Sequence, residues 1–306
     1  MVSDDTEHTA FVAQALIAHP DSVEEFQRAL AWKLRWWLLC VPAGIGFATL
    51  RAILKLWFGA PATRSGIRSA GNGPAMRSAI LGAYFSEDKA KLEVYLTAST
   101  RLTHTDDRAL NGAYAIAICA RSAIKQSGDT AISPALVLDE LRSIGEGADT
   151  EWTRLIQEIE SGLKQNLAVK QFAESIGLSN GVTGYMYHTV PVVLYAWLHH
   201  YGDFEATISA IINCGGDTDT TAAIAGALAG ATVGVEGIPI DWIEDLIDWP
   251  CSPKRLLRIA QRLAETHTSR LSGVPISTFW PAILLRNLFF AMLVIAHGFR
   301  RLLPPY

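Results

Sequence analysis

Two short acidic segments carry the side chains in this sequence that are best suited to chemistry. They are residues 3–7, with the sequence SDDTE, and residues 215–220, with the sequence GGDTDT. Each combines a hydroxyl with two carboxylates ahead of a run of apolar residues, and this pattern marks the start of a helix. One Asp or Thr would be enough to cap a helix, and adjacent acids repel each other. The surplus of hard oxygen ligands therefore favours Mg²⁺ or Mn²⁺ over capping alone.

The two segments form one site only if the fold brings them together. We predict that one or two divalent cations, Mg²⁺ in preference to Mn²⁺, bind between them. The predicted ligands are Ser3, Asp4, Asp5, Asp217, Asp219 and Thr220. The alternative is that both segments are ordinary helix caps, because negative charge is favourable at a helix N-terminus. Coordinates that separate the first pair of acids from the second would rule out a shared cation.

Three further segments contain polar or aromatic residues beside glycines or threonines. They are residues 71–77 (GNGPAMR), 103–106 (THTD) and 184–191 (GYMYHTVP). The backbone of the glycine-flanked turn could bind phosphate oxygens, and Asn72 offers a ribose both a donor and an acceptor. An ordinary turn is the alternative. His104 is a possible substrate contact, whereas Asp106 and Asp107 are better suited to cap the next helix. Arg77 is a candidate either for substrate or for pairing with a carboxylate.

Taken in order, these five segments resemble the motifs of the ADP-ribosylglycohydrolase family, the relatives of dinitrogenase reductase-activating glycohydrolase. Each motif is short and unspecific by itself, but the order of all five is a specific signal. The resemblance covers about residues 1–249. It implies a compact, single-domain helical bundle over residues 1–250, with the metal at the two acidic segments.

The resemblance also implies an activity. We expect a Mg²⁺-dependent hydrolase that cleaves the glycosidic bond of an ADP-ribosylated protein or small molecule and releases ADP-ribose. Asp4 or Asp5 would activate the attacking water. The implied substrate-binding residues are Asn72, Gly73, Met76, His104, Tyr185 and His188. From the residues alone, Tyr185 and Tyr187 could stack on an adenine or belong to the core, and His188 could be an interior histidine.

The sequence departs from the family pattern at its start. Members of the family ordinarily have an upstream helix, with a Gly-Asp-x-x-Gly turn and an acidic residue, before the SDDT segment. Here only Met1 and Val2 precede Ser3. Either the chain starts at an internal methionine of a longer, active protein, or the protein lacks this helix and with it an acidic residue that the resemblance places near the substrate, which would put catalysis in doubt. We expect the first, because an inactive protein would have no use for six ligand positions.

Composition excludes several other classes of protein. The chain has 306 residues, half of them hydrophobic, and a net charge of −4. It is long enough to bury a sizeable core and has no basic footprint for nucleic acid. Its four cysteines are far apart and form no C-x-x-C pair, which fits a reducing compartment. The acidic, polar first ten residues do not resemble a signal peptide. We therefore expect a cytoplasmic protein.

The spacing of apolar residues predicts helices throughout, and strand-like alternation is nearly absent. The sequence thus predicts an all-α fold. The predicted helices cover residues 1–19, 21–39, 49–58, 72–84, 88–97, 106–125, 134–144, 152–165, 169–175, 189–200, 204–213 and 221–233. A break at Pro42, Gly44 and Gly46 separates the second and third helices.

After Trp249 the sequence changes character. Residues 254–266 predict an amphipathic helix, and residues 279–299 are strongly apolar apart from Arg286, Asn287 and His297. The second segment could be a core or partner-packing helix, an interfacial anchor, or a marginal membrane span. An arginine near the middle costs roughly 3 kcal/mol on membrane-insertion scales, so we favour the first interpretation. We expect residues 251–306 to form a helical extension that packs on the main domain.

Two functions of other classes compete with hydrolysis. The first is a non-catalytic ADP-ribose or nucleotide binder on the same scaffold, which would bind metal without turnover. The second is a scaffold or membrane-peripheral protein acting through residues 279–299. Hydrolysis remains the prediction because both acidic segments retain their carboxylates.

Overall fold

The computed structural model of the chain describes residues 2–126, 132–147 and 149–302. Within these ranges it contains fifteen α-helices, a few 3₁₀ turns, and isolated bridges in place of β-strands. The all-α prediction is confirmed. The helices are α1 (Asp4–Ala18), α2 (Val23–Leu39), α3 (Phe47–Trp57), α4 (Ala79–Tyr84), α5 (Lys89–Arg101), α6 (Asp107–Lys125), α7 (Pro134–Arg142), α8 (Thr150–Gln165), α9 (Val169–Ser175), α10 (Met186–His199), α11 (Phe204–Ile212), α12 (Thr218–Val233), α13 (Ile240–Glu244), α14 (Pro253–Ser269) and α15 (Trp280–Leu302).

The core has two parts, and each supports one of the helices that begin at an acidic segment. The first is centred on α10, which is apolar on nearly every side and therefore lies inside the bundle. It packs against α6, α8, α9, α11 and α12. The second lies between α1, α2 and α5, with Phe11, Leu16 and Leu30 fully or almost fully buried. Because the apolar faces of α1 and α12 are buried in these two parts of the core, the N-termini of the two helices are held at fixed positions in space.

Small residues allow α12 to pack closely on its neighbours. Gly226 faces Ile208 of α11, where an added Cβ would lie 3.4 Å from the Ile208 side chain. The side of α12 that carries Ile224 and Leu228 is buried in the first part of the core. The alanines and glycines of this helix therefore serve close packing. Its carboxylate, Asp219, lies in the first turn.

Most predicted helices agree with the structure to within a few residues, and the differences have physical causes. Residues 72–84 do not form one helix: a 3₁₀ turn at Ala75–Arg77 precedes α4, which begins at Ala79. The helix α5 runs to Arg101, not to residue 97, because its polar last turn is buried against Arg77. The short helix α13 was not predicted.

The two C-terminal helices differ in how they join the bundle. Ile259 and Leu263 of α14 are buried in the second part of the core, beside α1. In α15 only the first turns are buried, at Ala282, Ile283 and Asn287, and every residue from Met292 to Arg301 is exposed. Of the favoured interpretation of residues 279–299, a core or partner-packing helix, the core alternative is therefore wrong beyond Asn287, and packing against a partner stays a prediction. The boundary predicted at residue 250 stays a prediction.

Candidate active site

The N-termini of α1 and α12 meet, although more than two hundred residues separate them in sequence. Asp4, Asp5 and Asp219 each place one carboxylate oxygen so that the three atoms lie within 4.8 Å of one another. No other group of three acidic, histidine or cysteine side chains within the described ranges is arranged so closely. The structure thus brings the two acidic segments together. The roles assigned to their residues stay predictions.

A glycine-dependent contact fixes the start of α12. The backbone N–H of Asp217 donates to the carbonyl of Val182 at 2.7 Å, and the N–H of Val182 donates to Gly215 at 3.0 Å. Gly216 has a φ of 84°, and an added Cβ would lie 2.0 Å from the Val182 carbonyl oxygen. No other residue type fits there without moving the backbone. The two glycines of the second acidic segment therefore position its carboxylates.

Asp217 takes a different place from the three clustered acids. Its Oδ2 accepts a hydrogen bond of 2.7 Å from the side-chain amide of Asn72, which also donates to the hydroxyl of Thr189 at 3.0 Å. Burial and the nearby Asp219 raise the pKa of Asp217, while the bonds from Asn72 and Thr220 oppose that rise. Asn72 therefore holds one member of the acidic segment at the edge of the cluster.

Burial and mutual repulsion dominate the electrostatics of the cluster. Burial, followed by the charge of Asp5, raises the pKa of Asp4 to about 7. Burial also raises the pKa of Asp5, against a lowering by the Ser3 hydroxyl, which donates to its Oδ2 at 2.6 Å. Three acids this close cannot all remain ionised without a compensating cation.

One buried oxygen of the cluster has no hydrogen-bond partner. Asp5 is 1 % exposed, and its Oδ1 is buried without a hydrogen-bond partner among the described residues. A buried carboxylate oxygen without a partner is costly, whereas coordination to a cation would satisfy it. Because the donor atoms are all carboxylate or hydroxyl oxygens, the residues present fit Mg²⁺ or Mn²⁺ and disfavour a soft metal.

The carboxylates border a cleft of about 340 Å³. Four of the predicted substrate-binding residues line it: Asn72, Gly73, Met76 and His104. Tyr185 and His188 do not, although Gly184, next to Tyr185 in the chain, does. The volume lies at the small end of the range for ligand pockets.

Tyr185 and His188 form an aromatic group beside the cleft. Their rings meet edge to face, with centroids 4.9 Å apart. The hydroxyl of Tyr185 accepts from Arg108 and donates to Glu151, while a ring nitrogen of His188 lies 2.8 Å from the hydroxyl of Thr183. Both side chains are partly exposed, so His188 is not the interior histidine considered above.

His104 forms a neutral wall of the cleft. It is 3 % exposed, and burial together with the adjacent Arg77 lowers its pKa to about 3. A Cβ added to Gly71 would lie 3.1 Å from its Nε2, and one added to Gly73 would lie 3.3 Å from its Cε1. The two glycines therefore let the 71–73 turn lie against the imidazole, which carries no charge at ordinary pH.

Arg77 is neither a substrate residue nor half of an ion pair. It is fully buried and donates to the carbonyl of Gly73 at 3.0 Å, to the carbonyl of Ser99 at 3.1 Å and to the hydroxyl of Thr103 at 2.6 Å. The suggestion that it pairs with a carboxylate is wrong: its described partners are backbone carbonyls, hydroxyls and His8. Arg77 therefore holds the 71–73 turn in place through its hydrogen bond to the Gly73 carbonyl.

Two features near the cluster were not predicted. Residues 44–49, interpreted only as a helix break and the helix that follows it, line one side of the cleft. The left-handed φ of 77° at Gly44, beside Asp4, is the kind of feature that Gly-x-Gly sequences signal. The second is Arg286 of α15, whose Nη2 lies 2.5 Å from Glu7 and whose Nη1 lies 3.3 Å from Asp248.

The fold and the cleft define the class of protein: an all-helical domain with an oxygen-rich, metal-competent centre beside a small-molecule cleft. Comparison with known sequences identifies it further. The sequence model of the ADP-ribosylglycohydrolase family matches residues 1–272, and the chain belongs to this family. The predicted family and enzyme class are confirmed. The match reaches past residue 249 to the linker after α14 and excludes α15.

Individual relatives agree with this assignment. An uncharacterised protein of Archaeoglobus fulgidus is 30% identical over 269 residues, which cover 87% of this chain and 80% of the relative. ADP-ribosylhydrolase ARH3 of Gallus gallus is 28% identical, over 78% of this chain and 72% of that protein. The ADP-ribosyl-[dinitrogen reductase] glycohydrolase of Rhodospirillum rubrum is 28% identical, over 80% and 73%.

A solved structure supports the same fold. The chain resembles an ADP-ribosylglycohydrolase-related protein complex with a TM-score of 0.63 at 24% sequence identity. The similarity covers 87% of this chain and 82% of the other. At this level of identity it supports the helical architecture alone.

Proposed function

We propose that this protein is a Mg²⁺-dependent glycohydrolase that releases ADP-ribose from an ADP-ribosylated protein or small molecule. The observation that carries the proposal is the meeting of Asp4, Asp5 and Asp219, with oxygens within 4.8 Å, beside a cleft of about 340 Å³. The names of the relatives from Gallus gallus and Rhodospirillum rubrum support the substrate class.

The ligand set follows from position and burial. Asp4, Asp5 and Asp219 would hold one cation, with Ser3, Asp217 and Thr220 completing the ligands of that ion or of a second one. A bound Mg²⁺ would orient the ribose hydroxyls and offset charge as the bond to C1″ breaks through an oxocarbenium-like state. Asn72 keeps Asp217 turned toward the cleft by its hydrogen bond of 2.7 Å.

Burial distinguishes the two candidate catalytic acids. Asp5 is almost fully buried and does not line the cleft, whereas Asp4 is partly exposed and does. We therefore assign to Asp4, besides its share in holding the cation, the role of accepting a proton from the water that attacks C1″, and to Asp5 that of a ligand alone. As the C1″ bond breaks, the leaving nitrogen or oxygen of the acceptor takes up a proton from solvent, and Asp4 later returns its proton to solvent, so that one water molecule is divided between ADP-ribose and the acceptor.

The remaining cleft residues would bind the sugar and diphosphate. Gly184 leaves space where an added Cβ would lie 3.4 Å from Asp217 Oδ2 and 3.7 Å from Asn72 Oδ1. Gly73, Met76 and His104 supply further backbone and apolar walls of the cleft. Tyr185 and His188, adjacent to Gly184, would contact the part of the substrate that extends beyond the cleft. Stacking on a nucleobase suits their edge-to-face pair.

The test is the release of ADP-ribose from ADP-ribosylated arginine and serine peptides, with Mg²⁺ or with EDTA. We expect release that requires Mg²⁺. No release with any acceptor, together with retained metal binding, would favour the second candidate, a non-catalytic ADP-ribose binder.

We also propose that the protein acts in a reducing compartment, the cytoplasm. Its four cysteines, Cys40, Cys119, Cys214 and Cys251, are all free, and burial raises the pKa of each thiol. Such thiols are poor nucleophiles and do not form disulfides with one another here. A fractionation experiment that finds the protein in an oxidising compartment would contradict this location.

A further inference from the structure

The second half of α15 is a surface without a partner. Every residue from Met292 to Arg301 is exposed, although the 22 residues from Trp280 to Arg301 form the one helix in the described ranges that is long and apolar enough to cross a membrane. The mean hydropathy of its most apolar window is 1.8, and only 17% of that window is buried. An apolar helix that projects from a protein is stable only if something covers it.

Five of the exposed apolar residues of α15 form a continuous stripe along one face of the helix. Leu285, Leu288, Met292, Ile295 and Phe299 follow each other at alternating steps of three and four residues, and each is 45–67% exposed. The opposite side carries all of the charge, at Arg286, Arg300 and Arg301, together with further exposed apolar residues, Phe289, Leu293 and Val294. The helix is therefore apolar on most sides, with an uncharged stripe turned away from the side that Arg286 anchors to the protein.

Charge indicates what covers the stripe. Residues 266–306 contain four arginines (Arg270, Arg286, Arg300 and Arg301), no lysine and no acidic residue, within a chain of net charge −4. Two copies packed stripe to stripe would leave Arg300 and Arg301 of both on the outside, with no acidic residue of this segment to pair with them. An anionic lipid surface offers phosphates for Arg300 and Arg301 and hydrocarbon for the stripe. We propose that α15 docks this protein on an anionic phospholipid bilayer.

The anchor at the start of the helix defines how it lies on the bilayer. Arg286 is held inside the protein by Glu7 and Asp248, and Asn287 donates to the carbonyl of Cys40 at 2.8 Å. From Asn287 to Phe299 the uncharged helix is about 20 Å long, short of the ~30 Å of a hydrocarbon core. The helix therefore lies in one leaflet at the level of the headgroups, with its apolar stripe toward the acyl chains.

A second apolar area begins at the base of α15. Trp32 and Trp36 of α2 are about half exposed and share a cavity of about 330 Å³ with Trp280. Cys40, at the end of the same helix, contacts both Trp280 and Asn287. Tryptophan side chains favour the boundary between lipid and water. The α2 face is therefore placed to reach the headgroups when α15 is docked.

The test is cosedimentation of the full chain with vesicles of phosphatidylglycerol and phosphatidylcholine, compared with phosphatidylcholine alone. We expect binding to the anionic vesicles that weakens as salt rises. The triple variant Met292→Ser, Ile295→Ser, Phe299→Ser changes only exposed side chains and should lower the partition at least about tenfold. The double variant Arg300→Gln, Arg301→Gln should lower it roughly 30-fold on anionic vesicles and little on neutral ones.

A matched control keeps the result specific. The variant Leu136→Ser, Val235→Ser, Ile240→Ser removes three comparably exposed apolar side chains from α7, the turn after α12 and α13, and should bind vesicles normally. Vesicle binding that the α15 triple variant leaves unchanged would overturn the proposal. So would sedimentation-velocity data showing a lipid-free dimer that the same variant dissociates, in a chain that does not bind vesicles. Glycohydrolase activity in solution is a separate measurement and decides neither outcome.

Discussion

Two clusters of carboxylates share the first two turns of α1, one buried at Glu7 and Asp248 and one buried only at Asp5, and they are neutralised in different ways. Glu7 and Asp248 are paired with Arg286, and Glu7 also accepts a hydrogen bond of 2.7 Å from the indole of Trp37. Asp4 and Asp5 face Asp219, and none of the ion pairs formed by the described residues includes these three acids. The cluster at Glu7 therefore contains its own cation, Arg286, whereas the cluster at Asp5 contains none among the described residues.

The presence or absence of an internal positive charge identifies the functional cluster better than the number of acidic residues does. Carboxylates buried together are costly unless a positive charge compensates them. Around Glu7 the compensating charge is a fixed guanidinium, so the cluster ties α15 and the Asp248 loop to α1. Around Asp5 no described residue supplies a positive charge, so a proton or a cation from solution has to compensate the cluster, and a bound cation can also bind ligands. Five experiments test this contrast, from the largest expected effect to the smallest.

The cluster without an internal cation (Asp4, Asp5 and Asp219) is called the open cluster, and the cluster of Glu7, Asp248 and Arg286 the closed cluster. Removing a carboxylate from the open cluster, or the carboxylate of Asp217 at its edge, should have the largest effect. For Asp219→Asn, and for Asp217→Asn, we expect Mg²⁺-dependent release of ADP-ribose to fall about a thousandfold or more, because a metal supplies several kcal/mol of stabilisation to the transition state. Far-ultraviolet circular dichroism should show nearly unchanged helicity. Asp245→Asn, at an exposed acid, is the matched control and should remain active. Normal hydrolysis by both cluster variants would exclude metal binding at this site.

Removing the internal cation should instead affect stability. In Arg286→Met the charges of Glu7 and Asp248 remain buried without their partner, and we expect the free energy of unfolding to fall by about 3–5 kcal/mol. Urea denaturation measures the loss. Arg300→Met removes an exposed arginine of the same helix and should change stability by less than about 0.5 kcal/mol. Equal effects of the two variants would mean that Arg286 is not a structural cation.

Added metal should stabilise the protein through the open cluster alone. At a free Mg²⁺ concentration of about one hundred times Kd, linkage predicts a gain of about 2.7 kcal/mol in the free energy of unfolding. The gain should be absent in Asp5→Asn and present in Glu7→Gln, whatever the starting stability of each variant. Sodium chloride of equal ionic strength controls for screening. A gain that disappears in Glu7→Gln but persists in Asp5→Asn would reverse the assignment of the two clusters.

Arg77 provides a third case, a buried cation beside histidines instead of acids. Burial and Arg77 hold the pKa of His104 near 3, below its ordinary value of 6.5. At His104 the unfolded chain therefore binds more protons below pH 6.5, so the contribution of His104 to stability falls as the pH falls. Between pH 6.5 and 5 this contribution falls by about 1.5 kcal/mol. In urea denaturation the stability difference between the wild type and His104→Gln should change by this amount across that range, and an identical pH dependence of the two proteins would contradict a neutral His104.

The open cluster was predictable because its chemistry is local. Two carboxylates and a hydroxyl at each of two helix starts exceed what capping requires, so the residue types of 3–7 and 215–220 are informative by themselves. The helices were predictable for the same reason, since their apolar period depends on near neighbours. The meeting of the two segments was supported only by the family resemblance.

The closed cluster could not be predicted because its pairing is not local. Arg286 lies 279 positions from Glu7, and in sequence it looks like an interruption in an apolar helix. Nor did periodicity predict residues 44–49 as a cleft wall, since residues 44–46 are a loop without a period and residues 47–49 are only the first turn of α3. The last turn of α5 was not predicted because Ser99 and Thr100 are polar and interrupt the apolar period. The turn forms because Arg77 is buried against it.

The smallest expected effect tests the contrast most directly, because it has opposite signs in the two clusters. Without metal, the charge of Asp5 is opposed by burial and by Asp219, which raise its pKa. In EDTA, Asp5→Asn should therefore raise the free energy of unfolding by about 1 kcal/mol. Glu7→Gln should lower it, because Arg286 then loses one of its two charged partners. If both variants are destabilised alike in urea denaturation, the cluster at Asp5 already has an internal counter-charge, and binding of a cation from solution is no longer required by its electrostatics.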